Sequence, residues 1–345
     1  MSRDVLDHHP IIPQRFAVAV SRIAVLTSGG DAPGMNAAIR AVLRMGNYRG
    51  IEVLGIEDGY AGLISGRIVP MAALEMHRLT GIERQGGTIL GTARSPEFRT
   101  EQGLQAGLDQ LHQENIEALV IIGGEGSLHG AQKLHHRGFP VVFVPASIDN
   151  DVGGTSVSIG VDTAVNTALD AIDKLKDTAA AFHRAFIIEV MGRDSGWLAL
   201  QSGIAAGVDM VLVPEVPFDV DQIIQKMKQS RASGKSNFML VAAEGISPRA
   251  SEIHELVGQL PEQTGFQSRL TILGHIQRGG SPTAFDRLLA SRLAARAVEE
   301  LMDGHAGTVI GFRNMQTVST PIDEALAEPH AFSEETYRFA QILAG

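Results

Sequence analysis

Two carboxylates and a hydroxyl lie close together in residues 147–151, which read Ser-Ile-Asp-Asn-Asp. In an extended segment residues i and i+2 point the same way, so we expect Asp149 and Asp151 to share one face. Adjacent carboxylates repel unless a cation is near or one of them is protonated. Phosphoryl transfer needs a base near a hydroxyl and oxygen ligands for a magnesium nucleotide. The pair therefore favours kinase chemistry, and an Asx turn that caps a loop is the alternative.

Two glycine pairs each follow an apolar run and precede a helical pattern. The pair at 29–30 follows residues 22–27, and the pair at 123–124 follows residues 118–122. Glycine lets a backbone approach a phosphate, and a helix N-terminus offers free N–H donors. Tight strand-to-helix packing is the alternative. Neither turn has the spaced glycines of a dinucleotide fingerprint or the lysine of a P-loop.

The second half of the sequence places cations beside two predicted strands, 185–190 and 270–273. These cations are Arg184, Arg193, Arg269, His275 and Arg278. Guanidinium groups bind phosphate through paired hydrogen bonds, so several of them at loop positions indicate an anionic ligand. Taken singly, each arginine reads as a solvated surface charge, and His275 as a structural histidine.

Short apolar runs alternate with helical patterns along most of the chain. Runs without polar alternation are typical of strands buried on both faces, and the helices between them indicate parallel crossover units. Ligands in such sheets lie at the carboxyl ends of the strands, where the glycine turns and the acidic loop fall. The sequence thus predicts an α/β protein with mostly parallel sheets, and 345 residues suggest two domains.

Composition and charge exclude several classes of function. A net charge of −10 argues against non-specific nucleic-acid binding. The sequence contains no cysteine, which excludes disulfides, thiolate metal sites and cysteine nucleophiles. No apolar run approaches the roughly 20 residues that span a bilayer, and residues 1–20 lack the pattern of a signal peptide. We expect a cytoplasmic protein with no nucleic-acid or membrane partner, and residues 1–20 as an extension ahead of the fold.

Four strings carry a resemblance to a known family. They are SGGDAPGMNAAIR at 28–40, IDND at 148–151, EVMGR at 189–193 and GHIQRGGSP at 274–282. Together they closely resemble the bacterial ATP-dependent 6-phosphofructokinases, from about residue 22 to the C-terminus. The resemblance implies two similar domains with mostly parallel sheets flanked by helices. Residues 21–160 plus about 277–327 would bind ATP, and residues 161–276 plus about 328–345 would bind fructose 6-phosphate.

The resemblance also implies a role for individual residues, with Mg²⁺ as cofactor. Asp149 matches the catalytic base, and the other catalytic positions are Ser147, Gly29, Arg94 and Arg193. The ATP-binding positions are Gly29, Arg94, Ser95, Arg99, Gly123, Gly124, Glu125, Gly126, Ser127 and Gly130, and Glu125 and Asp151 are the metal positions. The sugar-phosphate positions are Ser147, Asp149, Asp151, Arg184, Met191, Gly192, Arg193, Glu244, Arg269, His275 and Arg278. Arg184 and Arg269 match arginines that reach a neighbouring subunit's site, which implies a homotetramer.

Three departures from the family pattern bear on function. Glu125 stands where aspartate is usual, which we expect to alter metal or nucleotide affinity. Residues 160–164 (GVDTA) resemble the branch that contains pyrophosphate-dependent relatives, but those carry aspartate at Gly126 and lysine at Ala146. Small neutral residues there leave room for ATP. The possible effector residues Arg40, Arg44, Arg67, Lys176, Asp209 and Lys235 match the allosteric set only in part, with Ser233 and Asn237 replacing cations, so we expect weak or altered effector control.

Three alternatives stay open at this point. The nearest is the same fold with pyrophosphate as donor. A catalytically weak regulatory subunit is a second, which Glu125 keeps open although Asp149, Arg94 and Arg193 are intact. A nicotinamide-dependent dehydrogenase is a third, and the missing spaced-glycine fingerprint argues against it.

Overall fold

Two separate β-sheets organise residues 20–71, 81–328 and 332–344, the part of the chain that the computed structural model describes. The strands of the first sheet are β1 (Arg22–Ser28), β2 (Glu52–Ile56), β3 (Ile68–Pro70), β4 (Ala118–Gly123), β5 (Val141–Pro145), β10 (Thr308–Arg313) and β11 (Gln316–Pro321). Those of the second are β6 (Arg184–Val190), β7 (Met210–Leu212), β8 (Phe238–Ala243) and β9 (Gln267–Ile272).

Helices connect the strands. They are α1 (Met35–Arg49), α2 (Gly59–Ile64), α3 (Glu101–Gln113), α4 (Glu125–His136), α5 (Val161–Phe182), α6 (Trp197–Ala206), α7 (Val220–Ala232), α8 (Ala250–Gly258), α9 (Pro261–Thr264), α10 (Ala284–Met302), α11 (Ile322–Ala327) and α12 (Glu334–Leu343). Short 3₁₀ turns occur at Ile82–Arg84, Glu97–Arg99 and Gly274–Arg278. None of the helices in the described residues is long and apolar enough to cross a membrane.

The strand order of the first sheet is β11-β10-β5-β4-β1-β2-β3. Strands β10, β5, β4, β1 and β2 are parallel, and β3 and β11 pair antiparallel at the two edges. The chain leaves β1 toward β2 on one side and returns to β4 on the other, so the strand order reverses between β1 and β4. A reversal of this kind opens a crevice at the carboxyl ends of the strands.

The second sheet is smaller and entirely parallel, with strand order β7-β8-β6-β9. The predicted fold class, α/β with mostly parallel sheets, is confirmed. The predicted strands agree with the observed ones to within a few residues at each end. The strand predicted at 270–273 is β9, so Arg269 lies inside a strand and not at its start.

Helices cover both faces of the first sheet because its strands are apolar on both sides. One buried cluster joins the sheet to α1 and α10, and a second joins its other face to α2, α3 and α4. The second sheet has its own cluster, which includes residues of α5, α6, α7 and α8. Separate cores agree with two predicted domains, but the boundaries given above stay a prediction. The predicted extension lies almost wholly outside the described residues.

One buried carboxylate joins the two places where the chain passes between the sheets. Asp286, in the first turn of α10, is fully buried and accepts hydrogen bonds from Gly160 N (2.9 Å), Thr163 N (2.8 Å) and Thr163 Oγ1 (2.5 Å). Thr283, which caps α10, donates in turn to Asp162 Oδ2 (2.6 Å). Asp286 of α10 therefore caps the N-terminus of α5, and the bond between Thr283 and Asp162 holds the starts of the two helices together.

Candidate active site

A cleft of about 510 Å³ opens at the carboxyl ends of β1, β4 and β5. It is lined by Ser28, Gly29, Gly30, Asp31, Tyr60, Ala93, Arg94, Ser95, Pro96, Arg99, Gly124, Glu125, Gly126, Ser127, Ala146, Ser147, Ile148, Asp149, Asp151, Arg193 and Arg278. Four arginines and four carboxylates face the same space. Such a mixture can hold a strongly anionic ligand while keeping a base and oxygen ligands beside it.

The two glycine turns meet across the crevice between β1 and β4. A Cβ atom added at Gly123 would lie 2.5 Å from the carbonyl oxygen of Ser28, so only glycine permits this approach. Helix α4 begins at Glu125, and no side chain caps its N-terminus. Its first N–H groups are therefore available to an anion in the cleft.

The acidic loop after β5 is a turn and not the extended segment assumed above. Asn150 has φ 52°, and its side chain holds the loop by accepting from Ser158 N (2.8 Å) and donating to Ser156 O (3.1 Å). Asp149 and Asp151 nonetheless both line the cleft. The expected result is correct, but a left-handed residue produces it in place of strand alternation.

Ser147 contacts both acidic residues of the loop. Its hydroxyl donates to Asp151 Oδ1 (3.1 Å) and accepts from the backbone N–H of Asp149 (3.2 Å). These are bonds of a serine side chain and differ from the Asx turn that was the alternative. Both carboxylates face the cleft.

Asp149 is the buried acid of the cleft. It is 6% exposed, and its Oδ1 is buried without a hydrogen-bond partner among the described residues. Burial, and next the neighbouring Asp151 carboxylate, raise the pKa of Asp149 to about 6, against the opposing effect of Arg193 and Arg278. A base with that pKa is ionised at neutral pH yet takes up a proton readily.

The arginines reach the cleft from both sheets. Arg94 and Arg99 lie in the segment before α3, whereas Arg193 follows β6 and Arg278 follows β9. Arg278 packs against Gly30, its Nη1 lies 4.0 Å from Asp31 Oδ1, and its buried Nε has no partner in the described part of the chain. The lining of the cleft thus contains a buried guanidinium donor and a buried carboxylate acceptor that are both unpaired within the described residues.

The sequence profile described as Phosphofructokinase matches residues 22–301. The chain belongs to the phosphofructokinase family. It is 50% identical over 325 residues to an ATP-dependent 6-phosphofructokinase of Halalkalibacterium halodurans and 49% identical over 326 residues to one of Thermotoga neapolitana. Each of these alignments covers 94% of this chain and 100% of the relative.

Solved structures of the family have the same fold. The phosphofructokinase of Saccharomyces cerevisiae aligns with a TM-score of 0.82 and 34% identity, over 89% of this chain and 45% of the yeast chain. A pyrophosphate-dependent phosphofructokinase of Marinobacter aquaeolei aligns with a TM-score of 0.81 and 18% identity, over 94% of this chain and 91% of that one. The second likeness bears on the fold alone.

The metal positions expected from the phosphofructokinase resemblance fit magnesium. Glu125 and Asp151 both line the cleft. The described residues contain no group of three or more acidic, histidine or cysteine side chains that could hold a metal by themselves. Magnesium in kinase sites is typically held by one or two protein carboxylates together with substrate phosphates, so two carboxylates are a suitable set.

Several predicted positions do not line the cleft of their own chain. They are Gly123, Gly130, Arg184, Met191, Gly192, Glu244, Arg269 and His275. Gly123 supports the turn described above. Glu244 accepts from Arg193 N (2.9 Å), so it holds the turn that presents Arg193. Gly130 lies behind the cleft, where a Cβ atom would come within 2.6 Å of the Tyr60 ring.

Arg184 and Arg269 lie far from the carboxyl ends of the second sheet. Arg184 is the first residue of β6, and Arg269 pairs with Phe186 in the register of β9 against β6. At about 3.3 Å per residue, Arg184 lies roughly 20 Å from the end of its strand. The structure does not bring these two residues to the cleft of their own chain.

Five of the six possible effector residues are paired with neighbours. Arg40 lies 3.4 Å from Glu83, Lys235 lies 2.6 Å from Asp209, and Arg67 contacts Asp58. Lys176 donates to the carbonyl of Ala206. Within the described residues, the ion pairs of Arg40 and Arg67 are with Glu83 and Asp58 and not with the group around Lys176, Asp209 and Lys235.

The sequence analysis missed Tyr60 and Gln277. Tyr60 donates to Ser127 O (2.7 Å), stacks on Phe98 with ring centroids 4.1 Å apart and thereby supports the first turn of α4. Gln277 lies inside the string GHIQRGGSP, between the ligand candidates His275 and Arg278. A polar residue next to a charged ligand candidate is a signal that could have singled it out.

We expect Asp149→Asn to stabilise the fold at alkaline pH. The pKa of Asp149 is about 6 in the folded chain, against an ordinary value of 3.8. Above pH 3.8 the unfolded chain loses a proton that the folded chain keeps until about pH 6, so ionisation increasingly disfavours folding across that interval. The neutral variant should gain about 2 kcal/mol in urea unfolding at pH 8 and less at pH 5. Asp303→Asn, at an exposed carboxylate, is the control; a less stable Asp149→Asn at pH 8 would contradict the assignment of a destabilising buried charge.

Proposed function

We propose that this chain is an ATP-dependent 6-phosphofructokinase that transfers a phosphoryl group from ATP to the 1-hydroxyl of fructose 6-phosphate, in the glycolytic reaction of its relatives. The observation that carries the proposal is Asp149, a buried carboxylate whose pKa of about 6 suits a base, among arginines of both sheets. The relatives named ATP-dependent 6-phosphofructokinase, which align over 94% of the chain, support it. A cytoplasmic location is part of the proposal.

The chemistry divides between a base and fixed positive groups. Asp149 takes the proton from the sugar 1-hydroxyl as the hydroxyl oxygen forms its bond to the terminal phosphorus of ATP, and ADP leaves with the electrons of the broken bond. Arg94, Arg193 and the backbone N–H of Gly29 stabilise the charge that is redistributed over the phosphoryl oxygens. Glu125 and Asp151 would hold Mg²⁺, which neutralises phosphate charge.

The donor pocket has room for a nucleotide. A Cβ atom added at Gly126 would meet nothing within 4 Å, and Gly126 lines the cleft one residue into α4. The side chain of an aspartate at this position would place a negative charge in the part of the cleft where a nucleotide phosphate would lie. Ala146, also in the lining, brings no cation that could hold pyrophosphate. Both residues favour ATP over pyrophosphate.

The sugar-phosphate site is completed by a second subunit in this proposal, within a homotetramer. Arg184 and Arg269 do not line the cleft of their own chain. Strand β9, which carries Arg269, is an edge strand with an unpaired side, and Ile272 and Ile276 beside it are 57% and 60% exposed. An uncovered strand edge with large apolar side chains favours a contact with another chain.

The test of the proposed function compares ATP with pyrophosphate as donor, with fructose 6-phosphate and magnesium. We expect turnover with ATP, falling below about pH 6 as Asp149 is protonated. Asp149→Ser should lower kcat by about 10³-fold or more with little change in sugar affinity. Near-normal turnover of that variant would overturn the base assignment. A wild type inactive with both donors would favour the regulatory-subunit alternative.

A matched variant tests the donor pocket separately. Gly126→Asp should reduce turnover with ATP by about tenfold or more, because its carboxylate enters the space and the field of the nucleotide phosphates. His129→Asp, at an exposed position of α4 that does not line the cleft, is the control for helix perturbation. Wild-type turnover with pyrophosphate alone would show that other residues decide the donor.

Arg269→Ala tests the shared site. We expect KM for fructose 6-phosphate to rise by about tenfold or more, with a smaller change in KM for ATP, because a phosphate loses a charged contact. Arg313→Ala, which removes an exposed arginine at the end of β10, is the control. An unchanged KM for the sugar phosphate would count against a site completed by Arg269 of a second subunit.

Effector control should be weak. Lys235 is neutralised by Asp209 within the chain, so an anionic effector must displace that carboxylate. We expect phosphoenolpyruvate at millimolar concentration to change the sugar saturation curve by less than about threefold, and Asp209→Asn to increase the response. Strong phosphoenolpyruvate inhibition of the wild type would contradict this expectation.

A further inference from the structure

Gln277 connects the two loops that deliver arginines from the second sheet. It precedes Arg278 in the 3₁₀ turn after β9, and it is fully buried. Its Oε1 accepts a hydrogen bond of 2.9 Å from the backbone N–H of Met191, the first residue after β6. Strands β6 and β9 are parallel neighbours, so this single contact joins the ends of both.

The turn after β6 has a backbone that needs such support. Gly192 has φ 137° and Arg193 has φ 51°, a left-handed value that is unfavourable for a residue with a side chain. Conformations of this kind persist where the surroundings over-determine them. Gln277 holds the turn at its start through Met191 N, and Glu244 holds it at its end through Arg193 N (2.9 Å).

Met191 is also where the turn meets the first sheet. Its side chain is buried in the apolar cluster that contains α1 and α10, whereas the buried residues of β6 belong to the core of the second sheet. The backbone that Gln277 fixes therefore lies at the junction of the two cores. A displacement of Met191 would move Arg193 relative to Asp149, which belongs to the first sheet.

Of the two polar atoms in the Gln277 side chain, only the oxygen has a hydrogen-bond partner within the described residues. Nε2 of Gln277 is buried and has no hydrogen-bond partner among the described residues. An unpaired buried donor destabilises a fold, so Nε2 by itself would favour replacement by an apolar side chain. The hydrogen bond that Oε1 accepts from Met191 N is the interaction that accounts for a glutamine here.

We propose that Gln277 is a positioning residue for phosphoryl transfer, whose side-chain carbonyl fixes Met191 N and thereby sets where Arg193 enters the cleft. The proposal rests on the proposed function. It assigns Gln277 no contact with substrate: it acts through the backbone that carries Arg193.

The experiment compares Gln277→Met, which keeps length and removes the acceptor, with Gln277→Glu, which keeps an acceptor oxygen at the same position. Gln277→Met should lower kcat by about 10- to 100-fold, since small displacements of a catalytic group reduce rates to that degree. KM for ATP should stay within about threefold, because the glycine turns that face the nucleotide are untouched. Gln277→Glu should recover most of the lost kcat.

The separation of kcat from KM for ATP, together with the rescue by Gln277→Glu, is a readout that a purely structural role would not give, because a general loss of stability would lower activity in both variants alike. Thr308→Val, which removes a buried and unpaired hydroxyl from β10, is the control and should leave kcat unchanged.

Each outcome decides the proposal. An unchanged kcat in Gln277→Met, or an equal loss in the Met and Glu variants, would overturn it. If thermal melting shows that Gln277→Met does not fold, Gln277→Asn withdraws the acceptor by one methylene and must show the same loss of kcat. A wild type that is inactive with both donors would overturn the proposed function and this inference together, whereas an active wild type with a normal Gln277→Met overturns the inference alone.

Discussion

The arrangement of the whole molecule depends on the hydrogen bonds that the buried Asp286 carboxylate accepts. A charge without solvent must be satisfied by donors, and here all three come from the start of α5. Helix α5 carries the chain into the second sheet, and α10 brings it back. The loop of Asp149 ends just before α5, and the loop of Arg278 ends just before α10. Within the first loop, Ser147 N donates to Ile159 O. The hydrogen bonds of Asp286 therefore tie the end of the Asp149 loop to the end of the Arg278 loop.

The buried carboxylate of the cleft, Asp149, differs from Asp286 in its hydrogen bonds. Asp149 is nearly as buried as Asp286, yet its Oδ1 has no partner among the described residues and the nearest carboxylate repels it. The three donors around Asp286 suit a structural carboxylate, and the free lone pair of Asp149 suits the base that we propose it to be. The stability lost at Asp149 is tolerated because neighbouring loops are fixed by Asn150, Ser147 and the helix caps.

Much of this could be predicted from the sequence, and the parts that failed have physical reasons. Strands such as β1 and β4 were recognisable because burial on both faces leaves an unbroken apolar run. The edge strands β3 and β11 are short or half-polar and carry no such signal. Asp149 and Asp151 were correctly placed together, but by the wrong geometry, because the left-handed Asn150 cannot be read from residue types alone. Gln277 acts through a backbone N–H that is distant in sequence, a contact that only the fold reveals.

Arginines reach the cleft from both sheets, but the carboxylates that line it all belong to the first sheet. The first sheet supplies backbone donors and carboxylates at the ends of adjacent strands, where sheet hydrogen bonds fix their spacing. The second supplies Arg193 and Arg278 on long side chains from loops, whose positions depend on contacts such as those of Gln277 and Glu244. Guanidinium forks stabilise transferring charge only when their orientation is set beforehand. The orientation of Arg193 and Arg278 therefore has to be fixed by buried polar contacts between the loops that carry them. Met191 is the residue at which those contacts meet the core of the first sheet.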